Sequence, residues 1–389
     1  MLAAALVAAG HEVVWWSSTF DHLNGRLRFD RDTTCDVRPG YQLRLLHTTP
    51  GYDRAVSVTR ILNNLRQAWR FWSAAKASVP PDVIFCAMPT PELAWVSSRL
   101  GKHHRVPVVI DARDMWPDIF TDLLSPARRV VAWPYLACMR LILSTAVRGA
   151  AGCTAITEPF LDWIVRYGGR PRGQNDAVFP LGYSDPVVAQ AEVEAAEKSL
   201  PEVVPGAFNV VFLGRLNRTV LDAFEDVMVA ARMLRKEARP YRFYFAGTGD
   251  CAAELRQRAA ECREIVFLGH LGVAGLAALK QRGHVAMLCI ARRRDYQMSL
   301  SNKVFDYLAG GLPLASHLTG LVGELVTTQQ CGFVYGDGRE LAAGLKRYAT
   351  DESARREAGD RARNVFAKHY DAGRVYPDLA QHLQRIAQR

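Results

Sequence analysis

The sequence has neither the cysteine nor the histidine spacing of a metal site. Its eight cysteines form no Cys-x-x-Cys pair and no Cys/His cluster, and most of them lie inside apolar segments. Cysteines in such positions are typical of the reduced core of a cytosolic protein. We therefore predict no metal, no cofactor of another kind, and a cytoplasmic location.

Long uncharged apolar runs are also lacking. No run of about 18 such residues is present, and the longest candidate, Val130 to Ile156, is interrupted by Arg140 and Arg148. This pattern predicts no helix that spans a membrane. The first residues are apolar, but no basic segment precedes them and His11 and Glu12 soon follow, so they do not resemble a signal peptide.

Internal repeats, low-complexity segments and nucleic-acid recognition motifs are absent as well. The formal net charge is nevertheless +10, from 49 lysines and arginines against 39 aspartates and glutamates. A cationic chain favours an anionic partner, such as phosphate groups or a membrane surface. Because no recognition motif accompanies the charge, we expect no nucleic acid among the partners.

Short β-rich runs do alternate with longer helical patterns along the whole chain, which is typical of parallel α/β sheets. At 389 residues the chain is long enough for two domains. We predict an α/β fold of two doubly wound, Rossmann-like domains that face each other across a cleft, with the site at the carboxyl ends of the strands. The first domain is predicted over 1–185, a linker over 186–207, and the second domain over 208–366.

The first domain begins with a helix pattern, Met1–Gly10, that leads into a strand over 11–17. A doubly wound domain normally begins with a central strand and a Gly-containing turn ahead of that helix. Two explanations stay open: translation starts upstream, or the domain lacks a central strand. We favour an upstream start.

The most informative segment is Ser301–Pro313, read as a loop, a short helix, a Gly-Gly stop and a buried strand. Lys303 and Asp306 are three residues apart and are predicted to share a helix face. A helix N-terminus with N–H groups from Ser301 and Asn302, together with a lysine, suits a phosphate, and a carboxylate one turn later can bind sugar hydroxyls. The alternative is an ordinary helix–strand corner with two solvated charges.

Several further segments occur with this one in a fixed order. They are Gly10–Val14, Asp111-Ala112-Arg113-Asp114-Met115-Trp116-Pro117, Phe179–Tyr183, Phe212-Leu213-Gly214-Arg215-Leu216, Ala246-Gly247-Thr248-Gly249-Asp250 and Val266–Gly269. Taken together, the chain resembles the family 4 glycosyltransferases of GT-B fold, in the branch that builds bacterial surface polysaccharides. The resemblance implies a nucleoside-diphosphate-sugar donor, a glycan or polyprenyl-diphosphate-linked acceptor, retention of configuration and no metal. It also implies a C-terminal helix, over 367–389, that returns to the first domain.

The resemblance assigns the donor site residue by residue. Arg215, after Gly214, matches the arginine that contacts the donor diphosphate, and Arg218 is a candidate substitute for a usual lysine that is Val220 here. Asp306 matches the acid that binds the donor ribose, whereas the family's first acid is replaced by Met298. Lys303, Ser301 and Asn302 complete the predicted set. Gly247 and Gly249 form a Gly-x-Gly that is either a binding loop or a tight turn.

In the first domain, many family members place a His-Asp pair where this chain has Arg113-Asp114. An arginine cannot act as a base, but it can hold a phosphate with two hydrogen bonds. Asp114 or Asp111 is predicted to orient the acceptor hydroxyl. The alternative is that Asp111 and Arg113 pair with each other and fix the loop. His22 is a weaker candidate for the acceptor side.

A helix pattern over 58–79 carries an apolar stripe, and Arg60, Arg66, Arg70 and Phe71 lie outside it. The members of the stripe are Val58, Ile61, Leu62, Leu65, Ala68, Trp69, Trp72 and Val79. A basic face with an exposed aromatic suits peripheral binding at the inner face of the plasma membrane, and a domain helix with a solvated face is the alternative. Two alternatives to sugar transfer also stay open, a nucleotide-sugar 2-epimerase and a non-catalytic donor-binding subunit.

Overall fold

The computed structural model of the chain describes residues 1–21, 25–49, 51–52, 57–88 and 90–388. The chain divides into two compact units. Unit 1 comprises Met1–Gly182 and the C-terminal segment that starts at Ala372, and unit 2 comprises Tyr183–Asp371.

Unit 1 alternates helices and strands in its first 182 residues. Its elements are α1 (Leu2–Ala8), β1 (Val13–Ser18), β2 (Phe20–Asp21), β3 (Arg26–Leu27), β4 (Thr33–Arg38), β5 (Tyr41–Leu46), α2 (Val58–Lys76), β6 (Ile84–Met88), α3 (Pro91–His104), β7 (Val108–Ala112), α4 (Ile119–Leu123), α5 (Pro126–Arg148), β8 (Gly152–Ala155), α6 (Glu158–Tyr167) and β9 (Ala177–Val178).

The strands of unit 1 form two main sheets. One has the order β1-β5-β4, in which β1 and β5 are parallel and β4 is antiparallel, and the other is the parallel sheet β6-β7-β8-β9. A short hairpin joins β2 and β3. No pairing connects β1 with β6 in the part of the chain that the structure describes. All five residues of β7 are buried, as expected for a strand covered on both faces.

Unit 2 continues the alternation. Its elements are α7 (Gln190–Glu197), β10 (Phe208–Leu213), α8 (Arg218–Leu221), α9 (Phe224–Leu234), β11 (Tyr241–Ala246), α10 (Ala252–Arg258), β12 (Ile265–Gly269), α11 (Val273–Arg282), β13 (Val285–Leu288), α12 (Arg294–Gln297), α13 (Asn302–Ala309), β14 (Leu314–Ser316), α14 (Leu321–Thr328), β15 (Gly332–Val334), α15 (Gly338–Thr350) and α16 (Glu352–His369); the last helix of the chain, α17 (Ala372–Ala387), belongs to unit 1.

The six strands of unit 2 form one parallel sheet in the order β12-β11-β10-β13-β14-β15. Strand order reverses between β10 and β13. In a doubly wound sheet, ligands bind at the carboxyl ends of the strands beside this reversal. The core beneath the sheet is built from β10, whose residues are all buried, and from aromatic residues such as Phe224 and Phe245.

Helix α17 completes unit 1. Leu379, Leu383 and Ile386 recur at helical spacing and are at most 3% exposed, and they pack in one cluster with Leu2 of α1 and Val109 of β7. The apolar face of α17 therefore contributes directly to the core of unit 1.

The two compact units differ by a few residues from the predicted domains. The division lies after Gly182 and not after 185, and the return to unit 1 begins at Ala372 and not at 367. The segment predicted as a linker, 186–207, belongs to unit 2 and contains α7, which packs on α11. Val193 of this segment is 4% exposed, so an apolar side chain holds the segment on unit 2, although its Ala/Glu/Val-rich composition resembles that of a linker.

Candidate functional site

The loops that follow β10, β11 and β12 are joined to one another by backbone hydrogen bonds. The amide of Gly214 donates to the carbonyl of Ala246 at 2.9 Å, and the amide of Gly247 donates to Gly269 at 2.6 Å. The amide of Leu216 donates to Thr248 at 3.0 Å. The carboxyl ends of three neighbouring strands therefore form one ordered surface.

Glycine is required where these loops meet. Gly214 and Gly247 have φ angles of 142° and 144°, which L-residues with a side chain rarely adopt. A Cβ on Gly247 would overlap the carbonyl oxygen of Gly214, and one on Gly249 would overlap the carbonyl oxygen of Leu216. The predicted Gly-x-Gly thus has a structural cause, the close approach of two loops, and its role as a binding loop stays a prediction.

Lys303 lies at the start of α13, against the loop after β10. A Cβ on Gly214 would overlap its side-chain stem, and its ammonium lies 5.9 Å from the centroid of the Phe212 ring. Burial lowers the pKa of Lys303. Among the residues that the structure describes, no carboxylate lies within ion-pair distance of it. Lys303 is therefore a partly desolvated cation whose charge the surrounding protein leaves uncompensated.

The helix N-terminus next to Lys303 is open. Ser301 is the N-cap residue and has extended backbone angles, but its side chain makes no capping hydrogen bond, and its buried hydroxyl has no hydrogen-bond partner. The predicted N-cap position is therefore observed without the usual cap. The first amides of α13, with the partial positive charge of the helix, remain available to an anion beside Lys303.

Arg215 and Arg218 are both exposed. The guanidinium of Arg215 lies 3.8 Å from Asp250 and both side chains are 68% exposed, which makes this ion pair weak. Arg218 pairs with Asp222, four residues later in the chain, at 2.7 Å. Both ion pairs are exposed to solvent and therefore weak, so each arginine is available to a ligand, although Arg218 has the closer carboxylate.

Asp306 has different neighbours from those that the sequence predicts. Its Oδ1 accepts hydrogen bonds from the Tyr183 hydroxyl at 2.8 Å and from the Lys280 ammonium at 2.9 Å. Lys280 also donates to Asp185 at 2.6 Å. Lys303 and Asp306 start from one turn of α13 but contact separate groups, Lys303 at the end of β10 and Asp306 at α11. Among the described residues, only Oδ1 of Asp306 has protein partners.

Lys280, Asp185 and Tyr183 form a cluster with Asp306 that the sequence did not reveal. Burial lowers the pKa of Lys280, but the hydrogen bonds to Asp185 and Asp306 outweigh it and the net shift is upward. Burial and the hydrogen bond to Asp306 raise the pKa of Tyr183. Asp306 therefore faces a firmly charged lysine, and its negative charge is balanced inside the protein.

In unit 1, the structure shows the alternative predicted for the loop after β7. Arg113 donates to Oδ2 of Asp111, and the Thr154 hydroxyl donates to Oδ1 at 2.7 Å. Asp111 is 1% exposed. Both of its oxygens are thus occupied inside the protein, which contradicts a direct role of Asp111 in orienting an acceptor. Arg113 is partly exposed and Asp114 is exposed, so both can meet a ligand.

Asp118 fixes the end of this loop, and the sequence analysis missed it. Its carboxylate accepts from the Trp163 indole at 2.9 Å, the Tyr167 hydroxyl at 2.8 Å and Arg140 at 2.9 Å. Burial raises the pKa of Asp118, but the three hydrogen-bond donors together outweigh burial, so the net shift of the pKa is downward. A carboxylate held by three donors keeps the loop between β7 and α4 in one position.

The aromatic residues of α2 and α5 differ from the prediction. Phe71, predicted to be exposed, is 7% exposed, whereas Trp69 of the predicted buried stripe is 66% exposed. The exposed apolar side chains of α2 fall on one face, at spacings of four, three and four residues: Val58, Leu62, Leu65 and Trp69. In α5, Val130, Val131 and Trp133 are exposed next to Arg128 and Arg129.

Helix α5 also bears on the predicted absence of a membrane-spanning segment. By length and composition alone, α5 is long and apolar enough to cross a membrane. Of its most apolar window, 28% is buried inside the described part of the protein. Leu143, Ala146 and Val147 in its second half are fully buried in unit 1. Arg140 is bound to Asp118. These contacts pack the second half of α5 against the rest of unit 1.

The predictions for His22 and for the absence of a metal stay predictions. His22 lies outside the described residues, and its neighbour Asp21 is buried and pairs with Arg28 at 3.0 Å. No group of three or more His, Cys, Asp or Glu side chains that could hold a metal ion is found in the described ranges.

Two family models match the chain. Residues 1–182 match the glycosyl transferase 4-like domain. Residues 207–351 match the glycosyl transferases group 1. No curated protein matches the chain.

Solved structures share the fold at low sequence identity. Sucrose-phosphate synthase (tll1590) from Thermosynechococcus elongatus has a TM-score of 0.73 at 16% identity, covering 99% of this chain and 91% of that one. WaaG, a glycosyltransferase involved in lipopolysaccharide biosynthesis, has a TM-score of 0.67 at 14% identity, covering 98% and 94%. Anabaena Alr3699/HepE in complex with UDP-glucose has a TM-score of 0.60 at 16% identity, covering 88% and 86%. These likenesses confirm the predicted GT-B fold.

Proposed function

The chain belongs to the group 1 glycosyltransferases, with a glycosyl transferase 4-like domain in its first half, and we propose that it moves a sugar from a nucleoside-diphosphate donor to a glycan or polyprenyl-diphosphate-linked acceptor. We further propose that the product belongs to a surface polysaccharide and that the anomeric configuration is retained. The neighbour bound to UDP-glucose supports a uridine diphosphate donor.

The observation that carries this proposal is Lys303 beside the open N-terminus of α13. The strand order of the unit 2 sheet reverses between β10 and β13. At the carboxyl ends of these strands lie the uncompensated ammonium of Lys303, the free amides at the start of α13, and Gly214, whose lack of a side chain leaves space for the Lys303 stem. This combination fits the diphosphate of a donor. When the sugar leaves, negative charge develops on that diphosphate, and Lys303, Arg215 and the helix amides would stabilise it.

Asp306 is proposed to bind the donor ribose through Oδ2. Its Oδ1 is occupied by Tyr183 and Lys280, and these bonds fix the direction of the carboxylate. On the acceptor side, Asp114 is proposed to orient the reacting hydroxyl, and Arg113 to contact an acceptor phosphate. Asp111 holds Arg113 in place in this proposal.

We also propose that the protein works in the cytoplasm at the inner face of the plasma membrane. The exposed apolar residues of α2 and α5, with Arg128 and Arg129 nearby, support contact with an anionic bilayer. A lipid-linked acceptor would be reached from such a position.

The donor site is tested by Lys303→Met, with calorimetric titration of UDP and of a panel of nucleotide sugars. We expect the dissociation constant of UDP to rise about tenfold or more, because a charge-assisted contact to phosphate is lost. Lys368→Met, an exposed lysine of α16, is the matched control and should leave the affinity unchanged. An unchanged affinity in Lys303→Met, with the fold intact, would remove Lys303 from the donor site.

The products distinguish the alternatives. Sugar transfer releases a nucleoside diphosphate and forms a new glycosidic bond, and a 2-epimerase changes the sugar of the donor without an acceptor. A donor-binding subunit binds the nucleotide sugar and yields neither product.

A further inference from the structure

Unit 2 contains a groove next to the proposed donor site, with which it shares Lys280 and Asp185, the residues that hold Asp306. Its volume is about 620 Å³. It lies between the end of α11, the segment Gly310–Pro313, helix α16 and the segment after Asp185. Gly283 and His284 of its wall directly precede β13, and Gly310–Pro313 directly precede β14. The groove is therefore at the amino ends of these strands, whereas Lys303 is at the carboxyl ends.

Positive charge predominates in the lining. Four lining side chains are cationic (Lys280, Arg355, Arg356 and Arg363) and two are anionic (Asp185 and Asp360). Lys280 is balanced by its bonds to Asp185 and Asp306. The excess positive charge is therefore that of the arginines of α16.

Arg355 is the least compensated of them. Its side chain is 17% exposed, and within the described ranges its ion pair is a 3.4 Å contact with Glu352. The same oxygen of Glu352 accepts a shorter bond, at 2.6 Å, from Arg356. Burial lowers the pKa of Arg355, the charge of Glu352 opposes this, and the charges of Arg356 and Arg239 add to the downward shift. A mostly buried guanidinium among like charges costs folding free energy unless an anion neutralises it.

The backbone opposite α16 is shaped to admit a second guanidinium. Gly311 has a φ of 65°, and a Cβ on it would overlap the guanidinium of Arg363. Arg363 therefore lies directly on the Gly310-Gly311 turn. Its ion pair with Asp360, at 3.1 Å, is exposed on both sides, with 58% and 70% of the side chains accessible. Such a pair is weak and yields readily to a stronger anion.

His284 adds a neutral donor to the lining. Its Nδ1 accepts the Asn209 amide at 3.0 Å, which places the hydrogen on Nε2. The ring stacks on Phe208 at 5.0 Å. Burial, together with the charges of Arg355 and Arg239, lowers the pKa of His284 to about 4, although the charge of Glu352 opposes this shift. The imidazole is consequently neutral at physiological pH and fixed in orientation.

We propose that this groove binds a small anion that carries phosphate groups, with Arg355 and Arg363 as its main contacts. Guanidinium groups match phosphate oxygens with paired hydrogen bonds, and the absence of a side chain on Gly311 lets the guanidinium of Arg363 lie against the backbone at the groove wall. The volume is within the range of pockets for small molecules and exceeds that of a single phosphate ion. Free phosphates and nucleoside phosphates share this chemistry.

The experiment uses the full chain with the substitutions Arg215→Gln and Lys303→Met, so that pyrophosphate has no proposed donor site. Titration calorimetry with inorganic pyrophosphate should show one saturable site. Adding Arg355→Gln and Arg363→Gln should weaken that binding about tenfold or more. The control removes two charges elsewhere, Arg347→Gln and Lys368→Gln, both exposed and outside the groove, and should leave binding unchanged.

A second measurement does not depend on the groove variants folding. In the chain with intact arginines, pyrophosphate should shift the ring nitrogen resonances of His284, and UDP in place of pyrophosphate shows whether a nucleoside phosphate is accepted too. Absence of saturable binding, or binding that survives loss of both arginines with His284 unshifted, would overturn the proposal. If only the donor-site proposal fails, Lys303→Met leaves the affinity for UDP unchanged, and the substitutions Arg355→Gln and Arg363→Gln still weaken pyrophosphate binding.

Discussion

Glu92 is a buried acid in the first turn of α3, and the protein gives its charge little direct support. It is 3% exposed, and neither carboxylate oxygen has a hydrogen-bond partner in good geometry. Burial raises its pKa above the ordinary value of 4.5, although the nearby hydroxyls of Tyr135 and Thr90 and the charge of Arg60 oppose this. The folded chain therefore holds the Glu92 proton more tightly than the unfolded chain does.

The consequence is a pH-dependent loss of stability. The contribution of Glu92 is fully present below pH 4.5, where both states are protonated, and declines as the pH rises through the raised folded-state pKa. We expect Glu92→Gln to increase the free energy of unfolding by about 1 kcal/mol at pH 8, and by much less near pH 4. Thermal or urea unfolding at the two pH values measures this.

Glu158→Gln is the matched control for Glu92→Gln. Like Glu92 in α3, Glu158 lies in the first turn of its helix, α6, but its side chain is 65% exposed and paired with Arg172. Its substitution should change stability by less than about 0.5 kcal/mol. A Glu92→Gln protein less stable than wild type at pH 8 would show that the ionised carboxylate is a favourable part of the fold.

Single residues were predictable where the chain itself positions them. Lys303 was found because the N-cap, the helix and the Gly-Gly stop all lie within one segment. The partners of Asp306 were not, because Lys280 is 26 positions away and Tyr183 is 123 positions away. Local periodicity carries no information about such contacts. The same limit applies to Asp111, whose burial depends on Thr154 of the neighbouring strand.

At the scale of elements, α2 shows what periodicity can and cannot decide. Its spacing predicts the helix, and Ser57 caps it by accepting the amide of Arg60 at 3.2 Å. The same spacing cannot tell which of two apolar faces is buried. The side chains of Ala68, Phe71 and Ala75 are buried. The exposed apolar side chains are those of Val58, Leu62, Leu65 and Trp69. An exposed apolar stripe on a helix that also packs on α3 is typical of a surface that contacts a partner or a membrane.

The prediction for these helices is binding to anionic vesicles. Trp69→Ser with Trp133→Ser removes two aromatic side chains that are 66% and 64% exposed. We expect co-sedimentation with vesicles that contain phosphatidylglycerol to weaken about tenfold, because tryptophan favours the bilayer interface. Arg128→Glu with Arg129→Glu should weaken binding and reduce its dependence on salt.

Two exposed apolar residues of unit 2 supply the control, Val203→Ser with Met233→Ser. Their side chains are 54% and 44% exposed, and they should leave vesicle binding unchanged. Equal binding by all variants, or equal binding to neutral and anionic vesicles, would exclude this surface from membrane contact.

At the scale of the whole molecule, the alternation of strands and helices predicted the architecture well. Parallel sheets in both units and the reversal between β10 and β13 agree with a doubly wound fold. The boundaries were less predictable, because the Ala/Glu/Val-rich composition of 186–207 and its prolines at 201 and 205 resemble those of a linker. Buried Val193 and Leu200, with hydrogen bonds from Arg282 to Glu197, hold the segment on unit 2. Composition averages over such anchors.

The return of α17 to unit 1 leads to the last prediction. Leu383 is 2% exposed in the cluster with Val109 of β7, and Leu345 of α15 is fully buried in the core of unit 2. Truncating either leucine to alanine should cost about 2–5 kcal/mol. Because each cluster lies in its own unit, Leu383→Ala should speed amide hydrogen exchange in β7 and spare β10, and Leu345→Ala should do the reverse. If Leu383→Ala instead accelerated exchange in β10 as much as in β7, the two units would unfold together and α17 would not stabilise unit 1 alone.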